Sequence, residues 1–140
     1  CVSTIEDFTE GRFMEVIDDH KTKDPSKIKR ILFCTGKIYY ELLEERENRR
    51  ADHISIIRLE QIYPFPGKQI REILKKYPED AETEWVQEEP LNMGASQFVK
   101  HRMGDCRLRI ISRPESGVTA EGLTAIHKIN QAKIIEQAFK

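Results

Sequence analysis

Arg30-Ile31-Leu32-Phe33-Cys34-Thr35-Gly36-Lys37-Ile38-Tyr39-Tyr40-Glu41-Leu42-Leu43 places two different periods back to back. Ile31–Cys34 is an unbroken apolar run closed by a turn residue, the pattern of a strand buried on both faces. Immediately after it, Tyr39, Leu42 and Leu43 recur at i, i+3 and i+4 within 38–50, the pattern of a helix with one buried stripe. Glu41, Glu44 and Glu45 come early in that helix and Arg46, Arg49 and Arg50 late, an order that complements the helix dipole. The next short run, His53–Leu59, is rich in β-branched residues and reads as another strand. Strand, helix and strand at this spacing form a βαβ unit, which packs as a right-handed crossover between parallel strands.

The same alternation continues downstream. Tyr63-Pro64-Phe65-Pro66-Gly67 blocks extension of the second strand, and Ile70, Ile73, Leu74 and Tyr77 mark the stripe of a second helix. Thr83–Gln87 is a third strand, and Asn92 is placed to cap a helix running to about Met103. Leu108–Ile111 is a fourth strand, followed by the loop Ser112-Arg113-Pro114-Glu115-Ser116-Gly117 and a closing helix from near Glu121. Ile134, Ile135, Ala138 and Phe139 give the end of that helix one apolar face. Ile126 and Ile129 fall out of phase with it, which predicts a bend or a second packing surface around 127–131. Upstream, Arg12–Asp18 has no helix before Ile31 and fits an antiparallel edge strand, with a charged loop from His20 to Lys27. The expected architecture is three-layer α/β/α, around an open, mainly parallel sheet of about five strands. Residues 1–11 form a lead-in and 12–140 a single domain.

Composition narrows the function classes. With 140 residues, 34% charged and 39% hydrophobic, the chain reads as a globular domain with a heavily solvated exterior. Its 23 basic and 24 acidic residues leave a net charge of −1, without the overall basic footprint of a dedicated nucleic-acid binder. No apolar run approaches the length of a membrane span. Cys1, Cys34 and Cys106 are an odd number without CxxC spacing, which argues against a disulfide framework and for a reduced compartment. Because it begins at Cys1 rather than Met, the chain reads as a piece of a longer one.

In open parallel sheets, ligands gather outside the carboxyl ends of the strands. Here those ends are Thr35-Gly36-Lys37, Leu59-Glu60-Gln61, Gln87-Glu88-Glu89-Pro90 and Ser112-Arg113-Pro114. Thr35-Gly36-Lys37 combines a glycine turn, helix amides and a lysine, as an anion site would. It lacks both GxGxxG and GxxxxGK[ST], so a plain tight turn is the default. Glu88 and Glu89 are adjacent in an extended segment and point opposite ways, which suits loop or domain contacts better than paired acid–base work. His20, His53, His101 and His127 have no metal-ligand spacing among themselves or with cysteine. Cys34 reads as a buried structural thiol, and His127 either orients the Arg113 loop or sits on a helix surface. No nucleophile elbow is recognisable. These residues predict neither catalysis nor metal binding by this chain alone.

Three segments carry a more specific signal. Phe33–Leu42, then Ile57-Arg58-Leu59-Glu60-Gln61-Ile62-Tyr63-Pro64-Phe65-Pro66, then Trp85-Val86-Gln87-Glu88-Glu89-Pro90-Leu91-Asn92-Met93-Gly94-Ala95, resemble in order and spacing the C-terminal domain of the 2-oxoglutarate dehydrogenase E1 component. Arg113-Pro114-Glu115-Ser116 and His127 continue the resemblance, and Val2–Phe8 resembles the linker that precedes this domain. Ser116–Gly122 departs from the family by lacking a second proline.

The resemblance implies a transketolase-like, thiamine diphosphate-dependent parent enzyme that decarboxylates 2-oxoglutarate and passes succinyl to the lipoyl group of E2. It implies further that the thiamine diphosphate and Mg2+ are held by the preceding domains across a dimer interface, and that this domain binds neither. Its implied partners are those upstream domains, the dimer mate, the E2 lipoyl domain and an AMP or acetyl-CoA effector. Lys37, Arg58 and Arg113 are the basic residues best placed to meet the effector's phosphate, while Thr35, Gly36, Glu88, Glu89 and Asn92 are the expected domain-contact positions. The implied compartment is the cytoplasm of a bacterium or the mitochondrial matrix of a eukaryote. Two rival readings are a stand-alone adenine-nucleotide or acetyl-CoA sensor, and an interaction domain that recruits E2.

Overall fold

The chain is described by a computed structural model covering residues 5, 9, 11–104 and 107–140. The expected lead-in at 1–11 falls mostly outside the described residues, as do Cys1 and Cys106. Nine elements matter here: β1 (Val16–Ile17), β2 (Arg30–Cys34), α1 (Ile38–Arg49), β3 (Ile54–Leu59), α2 (Gly67–Leu74), β4 (Glu82–Pro90), α3 (Ser96–Met103), β5 (Arg109–Arg113) and α4 (Thr124–Ala138). The strands form one sheet in the order β1-β3-β2-β4-β5. β1 runs antiparallel to β3 at the edge, and all other pairings are parallel.

Alternation along β2 sends its side chains into two cores. Ile31 and Phe33 join Ile57, Leu59, Trp85, Ile70 and Val99 on one face, covered by α2 and α3. Leu32 and Cys34 join Ile54, Ile56, Val86, Ile38 and Leu42 on the other, where α1 and α4 pack through Leu42, Ile134 and Ala138. This is the expected three-layer architecture, and its central strand is buried on both sides because βαβ crossovers cover both faces.

Several boundaries differ from the sequence reading, each for a local reason. The edge strand is two residues long rather than spanning Arg12–Asp18, with Phe13 and Met14 exposed. Beyond Ile17 the Asp19 carboxylate, rather than more backbone, accepts from the Ile56 amide at 3.1 Å. Asn92 does not cap α3: Ala95 occupies the cap without a side-chain bond, and the Ser96 amide donates to Gln87 Oε1 at 3.0 Å. α4 begins at Thr124 rather than near Glu121, and it runs unbroken through 127–131. Ile126 and Ile129 are exposed on its amino-terminal half.

Candidate functional site at the carboxyl rim

Because β2, β3, β4 and β5 are mutually parallel, their carboxyl ends share one rim. The turns at 35–37 and 87–90 are tied together across it. Lys37 Nζ donates to Glu88 Oε1 and lies 3.5 Å from Glu41. The bond to Glu88, ahead of its other neighbours, pushes the Lys37 amine above its ordinary pKa. Gly36 makes the turn with φ of +73°, a conformation that L side chains rarely adopt.

The β4 end is organised by Gln87, which no motif had marked as a site residue. Its Oε1 accepts from Trp85 Nε1 at 2.9 Å and from the Ser96 amide, while its Nε2 donates to the carbonyls of Pro90 at 3.1 Å and Met93 at 2.8 Å. One buried amide thus fixes the path of residues 88–94. Gly94 closes that turn at φ +68°, where an added Cβ would lie 3.0 Å from Gln87 Oε1. Burial permits such a side chain only when its hydrogen bonds are met, but in sequence Gln87 stands among Glu84, Glu88 and Glu89 and nothing in the spacing singles it out.

Arg113 binds the third and fourth ends together. Its Nε donates to the Glu88 carbonyl at 2.8 Å, its Nη2 donates to the Thr119 carbonyl, and its Nη1 pairs with Glu121 at 2.9 Å. Glu121 also accepts from Asn130 at 2.6 Å, and His127 Nδ1 stands 3.5 Å away. The Asn130 bond first, then Arg113 and His127, hold the Glu121 carboxyl below its usual pKa. Asn92 completes this loop from the other side, exchanging two 3.0 Å bonds with the backbone of Ser116.

Arg58 is placed differently. Its guanidinium lies 4.5 Å over the Tyr39 ring, and its Nε is 3.3 Å from Glu60. That buried nitrogen has no hydrogen-bond partner among the described residues. Below it Cys34 is buried, and desolvation pushes its thiol up to about 12, so it is not a nucleophile at neutral pH. Glu88 and Glu89 point apart as expected, Glu88 to Lys37 and Glu89 to solvent.

The rim therefore brings together Lys37, Glu88 and Arg113, with Thr35 and Gly36 in the same turn and Asn92 behind the Arg113 loop. Arg58 enters from the α1 face. The rim is a lattice of ion pairs and carbonyl contacts suited to binding and packing. Among the described residues, no group of three or more His, Cys, Asp or Glu is arranged to hold a metal ion. No helix among them is long and apolar enough to cross a membrane.

A family model described as 2-oxoglutarate dehydrogenase C-terminal matches residues 2–139. The 2-oxoglutarate dehydrogenase E1 component of Cupriavidus necator is 43% identical over 99% of this chain and 15% of its own length. A probable 2-oxoadipate dehydrogenase complex component E1 homolog of Dictyostelium discoideum is 37% identical over 99% of this chain and 16% of its own. A solved split-gene transketolase, described as an inactive beta4 tetramer, shares the fold at a TM-score of 0.56 and 11% identity, over 79% of this chain and 37% of that one. The chain thus spans about a sixth of the length of the relatives it matches.

Proposed function

Since this chain belongs to the 2-oxoglutarate dehydrogenase C-terminal family, we propose that it serves as the non-catalytic third module of an E1 enzyme. That enzyme oxidatively decarboxylates 2-oxoglutarate and transfers succinyl to the E2 lipoyl group. The carrying observation is the match across 2–139 to the C-terminal part of E1 components. Thiamine diphosphate and Mg2+, held by the remainder of the E1 chain, would supply the decarboxylation chemistry.

The module's own work is assembly. Its rim, held in shape by Gln87 and by the Lys37–Glu88 and Arg113–Glu121 pairs, presents Thr35, Gly36, Glu88, Glu89 and Asn92 to the upstream domains and the dimer mate. The compartment follows the source: cytoplasm in a bacterium, mitochondrial matrix in a eukaryote. Joining the chain to the upstream polypeptide of its gene should give a dimer that turns over 2-oxoglutarate with thiamine diphosphate and Mg2+. Turnover by the 140 residues alone would overturn the division of labour.

Effector binding is the module's second role in this reading, with a phosphate of AMP or acetyl-CoA meeting Lys37, Arg58 and Arg113. Arg58 favours it most, since among the described residues its guanidinium is held only by Glu60 and the Tyr39 ring, and an incoming oxyanion would compete with Glu60 alone for its charge. Lys37 and Arg113 would have to exchange Glu88 and Glu121 for the ligand. Calorimetric titration with each compound tests this. Binding lost in Arg58→Ala and weakened in Lys37→Ala is the expected result, and heat unchanged by both substitutions rules out the rim. Recruitment of E2 through the same rim predicts that changing Glu88 and Glu89 to Lys abolishes co-purification.

A further inference from the structure

The opposite rim, where the parallel strands begin, carries a different charge pattern. A cavity of about 1780 Å³ opens there between the carboxyl-terminal ends of α2 and α3 and the starts of β2, β4 and β5. Seven Lys and Arg side chains line it against four Asp and Glu, although the whole chain carries −1. Among the described residues, three of the seven cations are not spent on a carboxylate. Arg30 and Arg109 are committed to Glu82 and Glu84, and Lys75 and Lys140 have carboxylates on their own helices or beside them. Arg71, Arg102 and Arg107 have no carboxylate partner among the described residues, and Arg102 lies 5.2 Å from the Phe98 ring centroid.

These three guanidiniums come from three separate elements: Arg71 from α2, Arg102 from α3, and Arg107 from the approach to β5. Helix-dipole compensation accounts for a cation in the last turn of α2 and of α3. It gives no reason for Arg107, which is in no helix. Between the cations the wall is apolar, with Leu74, Pro78 and Met103.

We propose that this groove docks an acidic polypeptide segment, whose carboxylates meet Arg71, Arg102 and Arg107 while aliphatic side chains lie on Leu74, Pro78 and Met103. Guanidinium is suited to carboxylate because its planar fork makes paired hydrogen bonds and loses little hydration on doing so. Size selects a stretch of chain over a small molecule, whose sites usually enclose about 300–1,000 Å³. Nucleic acid fits less well: Tyr77, the aromatic side chain in the groove wall, is buried rather than available for stacking.

The test is fluorescence anisotropy of the 140-residue chain with a labelled peptide of alternating Glu and Leu at low salt. Its Gln/Leu counterpart is the neutral control, with inorganic phosphate and single-stranded RNA as competitors. The acidic peptide should bind, weaken as salt rises, and lose about tenfold or more in affinity when Arg71, Arg102 and Arg107 are all changed to Gln. Each single substitution should cost about two- to fivefold, whereas Lys68→Gln, toward the opposite end of α2, should cost nothing. Melting temperature confirms folding of each variant, and the singles decide the matter if the triple variant does not fold. Equal affinity for the neutral peptide, full binding by the triple variant or by all three singles, or displacement by RNA or phosphate at lower concentration than unlabelled acidic peptide, would each overturn the proposal.

Discussion

The two flanks of the sheet are finished in opposite ways. At the β1 edge, a short strand is followed by two acids whose side chains reach inward. Asp19 is buried against Arg46, accepts from the Ile56 amide and from Thr22 Oγ1, and Arg46 in turn donates to the Ile54 carbonyl. Asp18 accepts from Tyr77 at 2.7 Å, and Tyr77 from Ser55 at 3.0 Å, crossing from the edge to the core. Toward the other end of the sheet, α4 lies over β4 and β5 and is seated through Ile134 and Ala138, with Gln131 bonded to Glu41 at its middle, while residues 124–129 of its first turns are all exposed. On the first flank the two acids are met by buried polar partners, although Phe13 and Met14 just before the strand are exposed; on the second, Ile126 and Ile129 stand exposed on one helix face. The contrast separates stability from docking, because polar closure needs no partner and exposed isoleucines mark surface that a larger assembly can cover.

Breaking the Asp19–Arg46 pair is the most damaging test of that difference. Asp19→Ala leaves a buried guanidinium without its carboxylate and the Ile56 amide without its acceptor. The expected loss is about 3–5 kcal/mol, read from urea or thermal unfolding. A cost near zero would mean that the β1 flank is not the closed one. Next comes Ile134→Ala, which opens a cavity under the seated half of α4 and should cost about 2–5 kcal/mol. A smaller loss there than at Asp19 is the ranking the two flanks imply.

How much of this was legible in sequence follows the same line. The unbroken Ile31–Cys34 run and the helical stripe after it are local periodic signals, so the parallel sheet and the shared rim could be read before any coordinates. Asp18 and Asp19 were visible only as a pair of acids ending a strand. Their partners Arg46, Ile56 and Tyr77 lie far away in sequence, so no spacing rule points to them. Asn92 had the chemistry of a cap, but Gln87, reached only through the fold, supplies the acceptor for the Ser96 amide and leaves Asn92 to Ser116. At the rim, Lys37 and Glu88 were each named as candidates; their union needed the parallel register of β2 and β4.

Acid sharpens the comparison without a cavity or an orphaned charge. Burial opposes ionisation of Asp18, but the bonds from Lys76 and Tyr77 outweigh it and hold the carboxyl below its ordinary value. A carboxylate with a lowered folded-state pKa stabilises above its unfolded value, and that contribution is lost as pH falls through the lowered one. Wild type should therefore lose this contribution below about pH 4, whereas Asp18→Asn should start about 1–2 kcal/mol less stable at neutral pH and fall less steeply in acid. Parallel urea midpoint curves for the two proteins across that range would remove Asp18 from the closure of the β1 flank.

The smallest effect belongs to the open flank and is informative because it is small. Ile129 is 57% exposed in the first half of α4, facing away from the Ile134 and Ala138 contacts. Ile129→Gln removes apolar surface that stays mostly exposed in the fold, and glutamine forms helix at least as well as isoleucine. Stability should shift by no more than about 0.5 kcal/mol, while the loss of exposed apolar area lowers self-association, measured by sedimentation at rising protein concentration. If the same substitution cost as much as Ile134→Ala, the amino-terminal half of α4 would have to be packed in solution. The open flank would then be a second closed one, and the distinction between the two edges would fail at its weaker end.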